Sequence, residues 1–142
     1  MIQITKIFRF EMAHAIHGYA GSCKNIHGHS YILHVSVAGN TFGDNFVPAP
    51  GFIFDFKQLK QIVNETVIKK LDHHLVLSNE YLKADPSLIS SENIFAWEME
   101  PTAENILFYI KQNLLQTLPS EIKLIRLTLF ETADSYAEWL PS

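Results

Sequence analysis

The sequence predicts an α+β fold: an antiparallel four-stranded sheet with two helices on one face. Two segments near the N-terminus alternate apolar and polar residues with the period of two that is typical of strands. Two later segments repeat apolar residues at helical spacing, as helices with one buried face do. The last segment, "IKLIRLTLFET", is apolar at both parities, which predicts a strand covered on both faces. This strand is either central in its sheet or covered in part by another subunit.

The composition indicates one globular domain over residues 1–142. Apolar residues make up 47% of the chain and charged residues 18%, without the signature of disorder. The formal net charge of −4 argues against nucleic acid as a partner. No apolar run approaches the ~20 residues of a membrane span, and the charged N-terminal segment is unlike a signal peptide. The single cysteine excludes an internal disulfide, so a cytoplasmic location is expected.

Both N-terminal strands are predicted to place histidines on an otherwise apolar face. The residues that share this face of the first strand are Phe8, Phe10, Met12 and His14. Those of the second are His27, His29, Tyr31, Leu33, Val35 and Val37. Residues 39–51 are rich in turn formers and predict a loop, and "GFIFDF" (51–56) predicts a short buried strand. The stretch 71–91 is predicted mostly as loop, followed by a short strand between Asn93 and Met99.

The two predicted helices have recognisable boundaries. Asp55 is the predicted N-cap of a helix from Phe56 to about Leu71, because its carboxylate can accept a hydrogen bond from the first turn. Thr102 is the predicted N-cap of the second helix, and Pro119 ends it.

Three histidines are candidates for one metal site. His27 and His29 are two residues apart, so their rings share a strand face, and the neighbouring strand can deliver His14. Three imidazoles leave one open position on a tetrahedral zinc ion, as in catalytic rather than structural sites. The alternative is that these are unrelated surface histidines, which is the preferred interpretation for His17 and His34.

Cys23 admits three interpretations from its spacing alone. It is a fourth ligand that closes the site, a free thiol activated beside the metal, or an inert buried cysteine. Spacing does not choose among them.

Acidic residues and a further histidine complete the candidate set. Asp72 precedes His73, as a carboxylate that orients an imidazole for proton transfer can do, although a histidine at a helix end is also favoured by the dipole. Glu131 ends an apolar strand, where a carboxylate is costly unless it binds donors; otherwise it is solvated. Glu104 lies in a first helical turn, and the helix dipole alone explains it.

Taken together and in order, six stretches resemble the family of 6-pyruvoyl-tetrahydropterin and 6-carboxytetrahydropterin synthases. They are "FRFEMAHAI", "CKNIHGHSY", "GFIFDFKQLK", "LDHHLVL", "PTAENI" and "ETADSYAEW", which cover almost the whole chain. The resemblance implies the tunnelling fold (T-fold), in which subunits join their sheets into a barrel. It also implies a homo-hexamer of two stacked trimers with active sites between subunits.

The same resemblance assigns roles to the candidates. It implies that His14, His27 and His29 bind Zn²⁺. Cys23 would then be the catalytic thiol rather than a fourth ligand. His73 with its partner Asp72 would be the catalytic histidine pair, and Glu131 would anchor the pterin.

The implied substrate is 7,8-dihydroneopterin triphosphate. The C-x₃-H-x-H spacing resembles the bacterial 6-carboxytetrahydropterin synthases of the queuosine pathway, which release acetaldehyde and triphosphate. The alternatives are a 6-pyruvoyl-tetrahydropterin synthase, which only eliminates triphosphate, a neopterin aldolase, and a non-catalytic pterin- or metal-binding homologue. Lys24, Lys57 and Arg126 are guesses for the triphosphate. The stretch Ser78–Glu100 is longer than in compact bacterial members, and no role for it follows from the resemblance.

Overall fold

A computed structural model describes residues 1–40, 43 and 45–142 of the chain. The predicted loop at 39–51 therefore contains three positions, 41, 42 and 44, that lie outside the described residues. Six strands form one mixed sheet in the order β4-β3-β1-β2-β5-β6. Their bounds are β1 Ile4–His14, β2 His27–Ala38, β3 His74–Ser78, β4 Ile94–Trp97, β5 Lys123–Thr132 and β6 Ser135–Trp139.

The two predicted helices lie against one face of this sheet, as predicted, whereas a third, short helix packs Leu82 against Leu77 on the other face. Helix α1 (Phe56–Val63) continues through a π-helical turn (Asn64–Ile68) into α2 (Lys69–Leu71), so the predicted span is correct. Helix α3 covers Asn79–Ala84, and α4 covers Ala103–Thr117.

Both predicted N-caps are confirmed. The Asp55 side chain accepts a hydrogen bond from Lys57 N, and the Thr102 side chain accepts one from Asn105 N. Each cap satisfies one of the backbone donors that a helix start leaves without a partner.

The expectation of a four-stranded antiparallel sheet is wrong in two respects. Strand β3 pairs in parallel with both β1 and β4, where mainly loop was predicted. Val76, Leu77 and Ser78 are all buried, because parallel neighbours on both sides and covering side chains leave no solvated face. A run this short carries no periodicity that separates strand from loop.

The C-terminal hairpin also corrects the prediction. Strand β6 pairs with β5, and Thr132 is the partner of Ser135 across a tight turn. The residues "SYAEW" are too polar to indicate a buried strand from sequence, so their pairing is visible only in the structure.

The stretch "GFIFDF" is not a strand. Gly51 adopts a φ of 92°, a left-handed conformation that turns the chain. Phe54 is then buried in the core, the half-buried Ile53 packs against it, and Asp55 starts the helix immediately.

The core lies between the helices and the face that the strand alternation predicted. Phe8, Phe10 and Met12 of β1 are buried there, together with Tyr31, Leu33, Val35 and Val37 of β2. Their helical partners include Leu59, Val63, Ile106, Ile110 and Leu114. Among the described residues, no helix combines the length and the apolar character that a bilayer crossing requires.

Candidate metal centre and catalytic cavity

The three candidate histidines meet where β1 and β2 pair. His14 lies opposite His27 in the antiparallel register, and Met12 lies opposite His29, so all three rings leave the same sheet face. One ligand nitrogen of each ring lies within 4.8 Å of the others. His14 is buried, and the other two are half-buried at the edge of the core. The structure thus brings together the residues that the H-x-H spacing singled out.

The hydrogen bonds around the rings select which nitrogens face each other. Nδ1 of His14 lies 2.6 Å from the Pro101 carbonyl, and Nδ1 of His27 lies 2.7 Å from the Asn25 carbonyl. A carbonyl only accepts, so in each neutral ring Nδ1 carries the proton and Nε2 carries the lone pair. Backbone partners of this kind fix the tautomer of metal-binding histidines.

The distances between the Nε2 atoms fit a metal ion. Nε2 of His14 and Nε2 of His27 are 3.1 Å apart, and two lone pairs at this distance repel unless a cation lies between them. Ligand nitrogens that lie 2.0–2.1 Å from a tetrahedral ion are about 3.3 Å apart. Nε2 of His29 is buried without a hydrogen-bond partner among the described residues. This donor set therefore defines a candidate metal site.

Burial also prepares two of the rings to act as ligands. It lowers the pKa of His14 below the usual 6.5, and the neighbouring His27 and His29 add to this against an opposing hydrogen bond to Pro101 and the charge of Glu131. Burial likewise lowers the pKa of His29, with Glu131 opposing it. Both rings are thereby held neutral near pH 7, the form that binds metal.

A cavity of about 410 Å³ opens beside the histidines, a volume typical of small-molecule sites. Its lining includes His14, Tyr19, Cys23, Thr102, Glu104 and Glu131. Oε1 of Glu131 lies 3.6 Å from Nε2 of His29, so the predicted anchor reaches the edge of the metal site. Glu104 is a second carboxylate in this wall, so the helix dipole alone does not account for it. The signal for it was its place in "PTAEN", two residues after the cap Thr102.

Cys23 lies in a short 3₁₀ turn, Ser22–Lys24, that joins β1 to β2. Its carbonyl accepts a hydrogen bond of 2.8 Å from Ile16 N, and its side chain is half-buried. The ligand atoms that lie within 4.8 Å of one another belong to the three histidines, and the Cys23 sulfur is not among them. This geometry favours the free thiol over the fourth ligand.

Asp72 and His73 form the expected pair, but they lie outside the cavity that Cys23 lines. Oδ1 of Asp72 lies 3.0 Å from Nδ1 of His73, within ion-pair distance, and accepts a hydrogen bond of 2.9 Å from Glu11 N. His73 has a φ of 62°, a strained conformation for a residue other than glycine, and its N–H donates to the Glu11 carbonyl. Its ring lines a separate depression of about 350 Å³ with Glu11, Ser30 and Asn93. Within one chain, His73 and Cys23 do not share a cavity.

Of the three residues guessed for the triphosphate, Arg126 is already engaged. Its Nη2 and Nε lie 2.6 and 2.7 Å from Oε2 of Glu138, on the sheet face opposite α1 and α4.

Comparison with known proteins agrees with this geometry. The family profile described as 6-pyruvoyl tetrahydropterin synthase matches residues 3–141, and the chain belongs to this family. Several relatives are named 6-carboxy-5,6,7,8-tetrahydropterin synthase. The one from Haemophilus influenzae is 33% identical over 98% of this chain and 99% of its own length. The one from Aquifex aeolicus is 30% identical over 96% of each.

The fold is likewise that of a solved family structure. The 6-pyruvoyl tetrahydropterin synthase of Caenorhabditis elegans superimposes with a TM-score of 0.69 over 99% of this chain and 96% of its own, at 22% identity. At this identity the likeness establishes the fold alone.

Proposed function

We propose that the chain is a zinc-dependent lyase that converts 7,8-dihydroneopterin triphosphate to 6-carboxy-5,6,7,8-tetrahydropterin and releases acetaldehyde and triphosphate. The observation that carries this proposal is the convergence of three imidazole lone pairs beside a cavity that also holds Cys23 and Glu131. The full-length relatives named 6-carboxy-5,6,7,8-tetrahydropterin synthase support this branch of the family.

The proposed metal is Zn²⁺, held by His14, His27 and His29. Imidazole nitrogens suit zinc, and three of them leave the open position that a catalytic site needs. When bound, the ion would supply Lewis acidity to the side-chain oxygens of the substrate and so acidify the adjacent C–H bonds.

Glu131 would orient the pterin. A carboxylate offers two acceptor oxygens, which match the two neighbouring N–H donors of an amino-pyrimidine edge. Because Glu131 and His29 are 3.6 Å apart, a ring anchored on Glu131 would place its side chain beside the three histidines. Positioning of this kind makes the subsequent steps effectively intramolecular.

Cys23 and His73 would move protons. Cys23 as a thiolate would accept a proton from the substrate side chain in the cavity it lines. His73 would exchange protons through Nε2, because Asp72 holds its Nδ1. The ring is 78% exposed in the isolated chain, whereas a proton-transfer group works best when water is excluded.

The separation of His73 from Cys23 fits an active site shared between copies of the chain. We propose the homo-hexamer and barrel of the T-fold, in which the Asp72–His73 pair of one copy completes the cavity of another. Mixing Cys23→Ala chains with His73→Ala chains, after joint unfolding and refolding, should then restore activity that neither variant has alone. Equal inactivity of the mixture, with hexamers present, would mean that both residues act within one chain.

Product analysis tests the function itself. Incubation of the zinc-loaded protein with 7,8-dihydroneopterin triphosphate should yield a carboxylated tetrahydropterin and acetaldehyde. A pterin that retains the three-carbon side chain would instead identify a 6-pyruvoyl-tetrahydropterin synthase. Unchanged substrate with intact metal would contradict a catalytic role.

A further inference from the structure

The short segment Glu100–Thr102, between β4 and α4, touches the metal centre through its backbone. The Pro101 carbonyl lies 2.6 Å from Nδ1 of His14 and fixes the tautomer that presents Nε2 to the metal. Pro101 is buried, so this contact is shielded from water. The position of this carbonyl therefore determines the orientation of one proposed ligand.

The preceding residue reaches the other half of the site. Oε1 of Glu100 accepts a hydrogen bond of 2.7 Å from His17 N. The adjacent residue, Ile16, donates its N–H to the Cys23 carbonyl at 2.8 Å. A bond between a carboxylate and a backbone N–H is stronger than one between neutral groups. The Glu100 side chain thus fixes the backbone at His17, and the neighbouring Ile16 is hydrogen-bonded to the turn that contains Cys23.

The segment itself is anchored on α4. Nδ2 of Asn105 donates to the Glu100 carbonyl at 2.9 Å, and Thr102 N donates to the same oxygen at 2.9 Å. Asn105 N in turn donates to Oγ1 of the cap Thr102 at 3.2 Å. Three bonds within six residues leave this turn little freedom relative to the helix.

We propose that Glu100 is a positioning residue that sets the cysteine turn relative to the metal ligand His14. Its carboxylate fixes the backbone on the Cys23 side, and the carbonyl of the next residue fixes His14. The two halves of the site are therefore held by one rigid turn. This inference rests on the proposed function only for the roles of Cys23 and His14; the coupling itself is a property of the chain without substrate.

The experiment compares three variants of the full chain. Glu100→Ala removes the acceptor for His17 N, and Glu100→Gln keeps an oxygen that can still accept the bond. Glu98→Gln changes an exposed carboxylate two residues earlier and serves as the matched control. Because Cys23 is the only cysteine, the rate of iodoacetamide alkylation in metal-free protein reports on this turn alone.

Glu100→Ala is expected to alkylate about threefold faster or more, because a turn that loses its anchor opens more often. Its affinity for zinc should fall about three- to tenfold, less than the 10–100-fold typical of losing a direct partner of a ligand. Glu100→Gln should lie close to wild type, and Glu98→Gln should be unchanged. With substrate, kcat should fall while KM stays within about twofold, since the proposed pterin anchor Glu131 is not altered.

The proposal is overturned if Glu100→Ala matches Glu98→Gln in alkylation rate and in zinc affinity. It is also overturned if both effects scale with the fraction of unfolded protein, measured by circular dichroism in the same samples. If Glu100→Ala fails to fold, Asn105→Ala replaces it, because it removes the side-chain donor that anchors Glu100 on α4, and unchanged alkylation in Asn105→Ala overturns the proposal. Failure of the wild-type protein to turn over pterin would contradict the proposed function and leave these two readouts intact.

Discussion

Nε2 of His14 and Nε2 of His27 lie 3.1 Å apart, while each ring's Nδ1 faces a backbone carbonyl. The two lone pairs therefore point at each other, an arrangement that costs free energy in the absence of a cation. The antiparallel register of β1 and β2 imposes this closeness, because it places the two residues directly opposite. The closeness of the two lone pairs therefore favours binding of a cation at this site.

The first prediction concerns pH. The pKa values of His14 and His29 lie below the 6.5 of the unfolded chain, so the folded state binds fewer protons than the unfolded state at acid pH. The free energy of unfolding of the metal-free protein should be at its full value above about pH 6.5 and fall as the pH drops through the lowered values. Urea unfolding of metal-free protein across this range measures the effect.

A His14→Gln variant is the control for the pH experiment, because it removes the more deeply buried of the two groups. Its stability should depend less steeply on pH in the same interval. A wild-type stability that rises on acidification from neutral pH would contradict the assignment.

The second prediction concerns the hydroxyl of Tyr31. Its Oη is buried with no hydrogen-bond partner among the described residues, and burial, with the charges of Glu131 and Cys23, raises the pKa of this group well above its usual range. Tyr31→Phe should raise the free energy of unfolding of the metal-free protein by about 1 kcal/mol, because the lone hydroxyl is lost and the ring stays. A loss of stability instead would mean that the hydroxyl has a partner in solution.

The third prediction concerns Glu131. Glu131→Gln should raise KM for the pterin about 10–100-fold, since a charged hydrogen bond contributes roughly 1.5–3 kcal/mol. In addition, the NH₂ group of the glutamine would face one of the N–H donors of the pterin. Zinc content should not change. Asp134→Asn, an exposed carboxylate in the neighbouring turn, is the matched control. An unaltered KM for Glu131→Gln would exclude it as the anchor.

The fourth prediction concerns the Asp72–His73 pair. Asp72→Asn weakens the bond that orients His73 and should lower kcat about 10–100-fold, less than the 10²–10⁴-fold that a missing proton-transfer group costs. KM and zinc content should stay close to wild type, because neither the cavity nor the ligands include Asp72. A fall in zinc content would show that Asp72 supports the fold of β1 rather than catalysis.

The parts of the fold that sequence predicts are those with strong local periodicity. The alternation of β1 and β2 correctly places His14, His27 and His29 on one face. Because side chains alternate with a period of two, the burial of the apolar residues determines the face on which every other residue of the strand lies. The caps Asp55 and Thr102 also follow from local chemistry. Strand β3 does not, because its pairing with β1 and β4 is a long-range contact that five residues do not encode.

In the candidate site, too, local spacing is predictable from sequence, whereas contacts between distant residues are not. Spacing identifies the H-x-H pair, but the tautomers depend on the carbonyls of Asn25 and Pro101, and Pro101 is far away in the sequence. No local pattern predicts that contact or the link from Glu100 to His17. The separation of His73 from the Cys23 cavity is likewise visible only in three dimensions.

The metal content of purified variants is the most direct test of the central claim that three imidazoles hold the ion while the thiol stays free. Elemental analysis should find one zinc ion per chain in the wild type and in Cys23→Ala, and none in His14→Ala. The Cys23→Ala protein should form no product. Loss of zinc from Cys23→Ala, or absence of metal from the carefully handled wild type, would contradict this account.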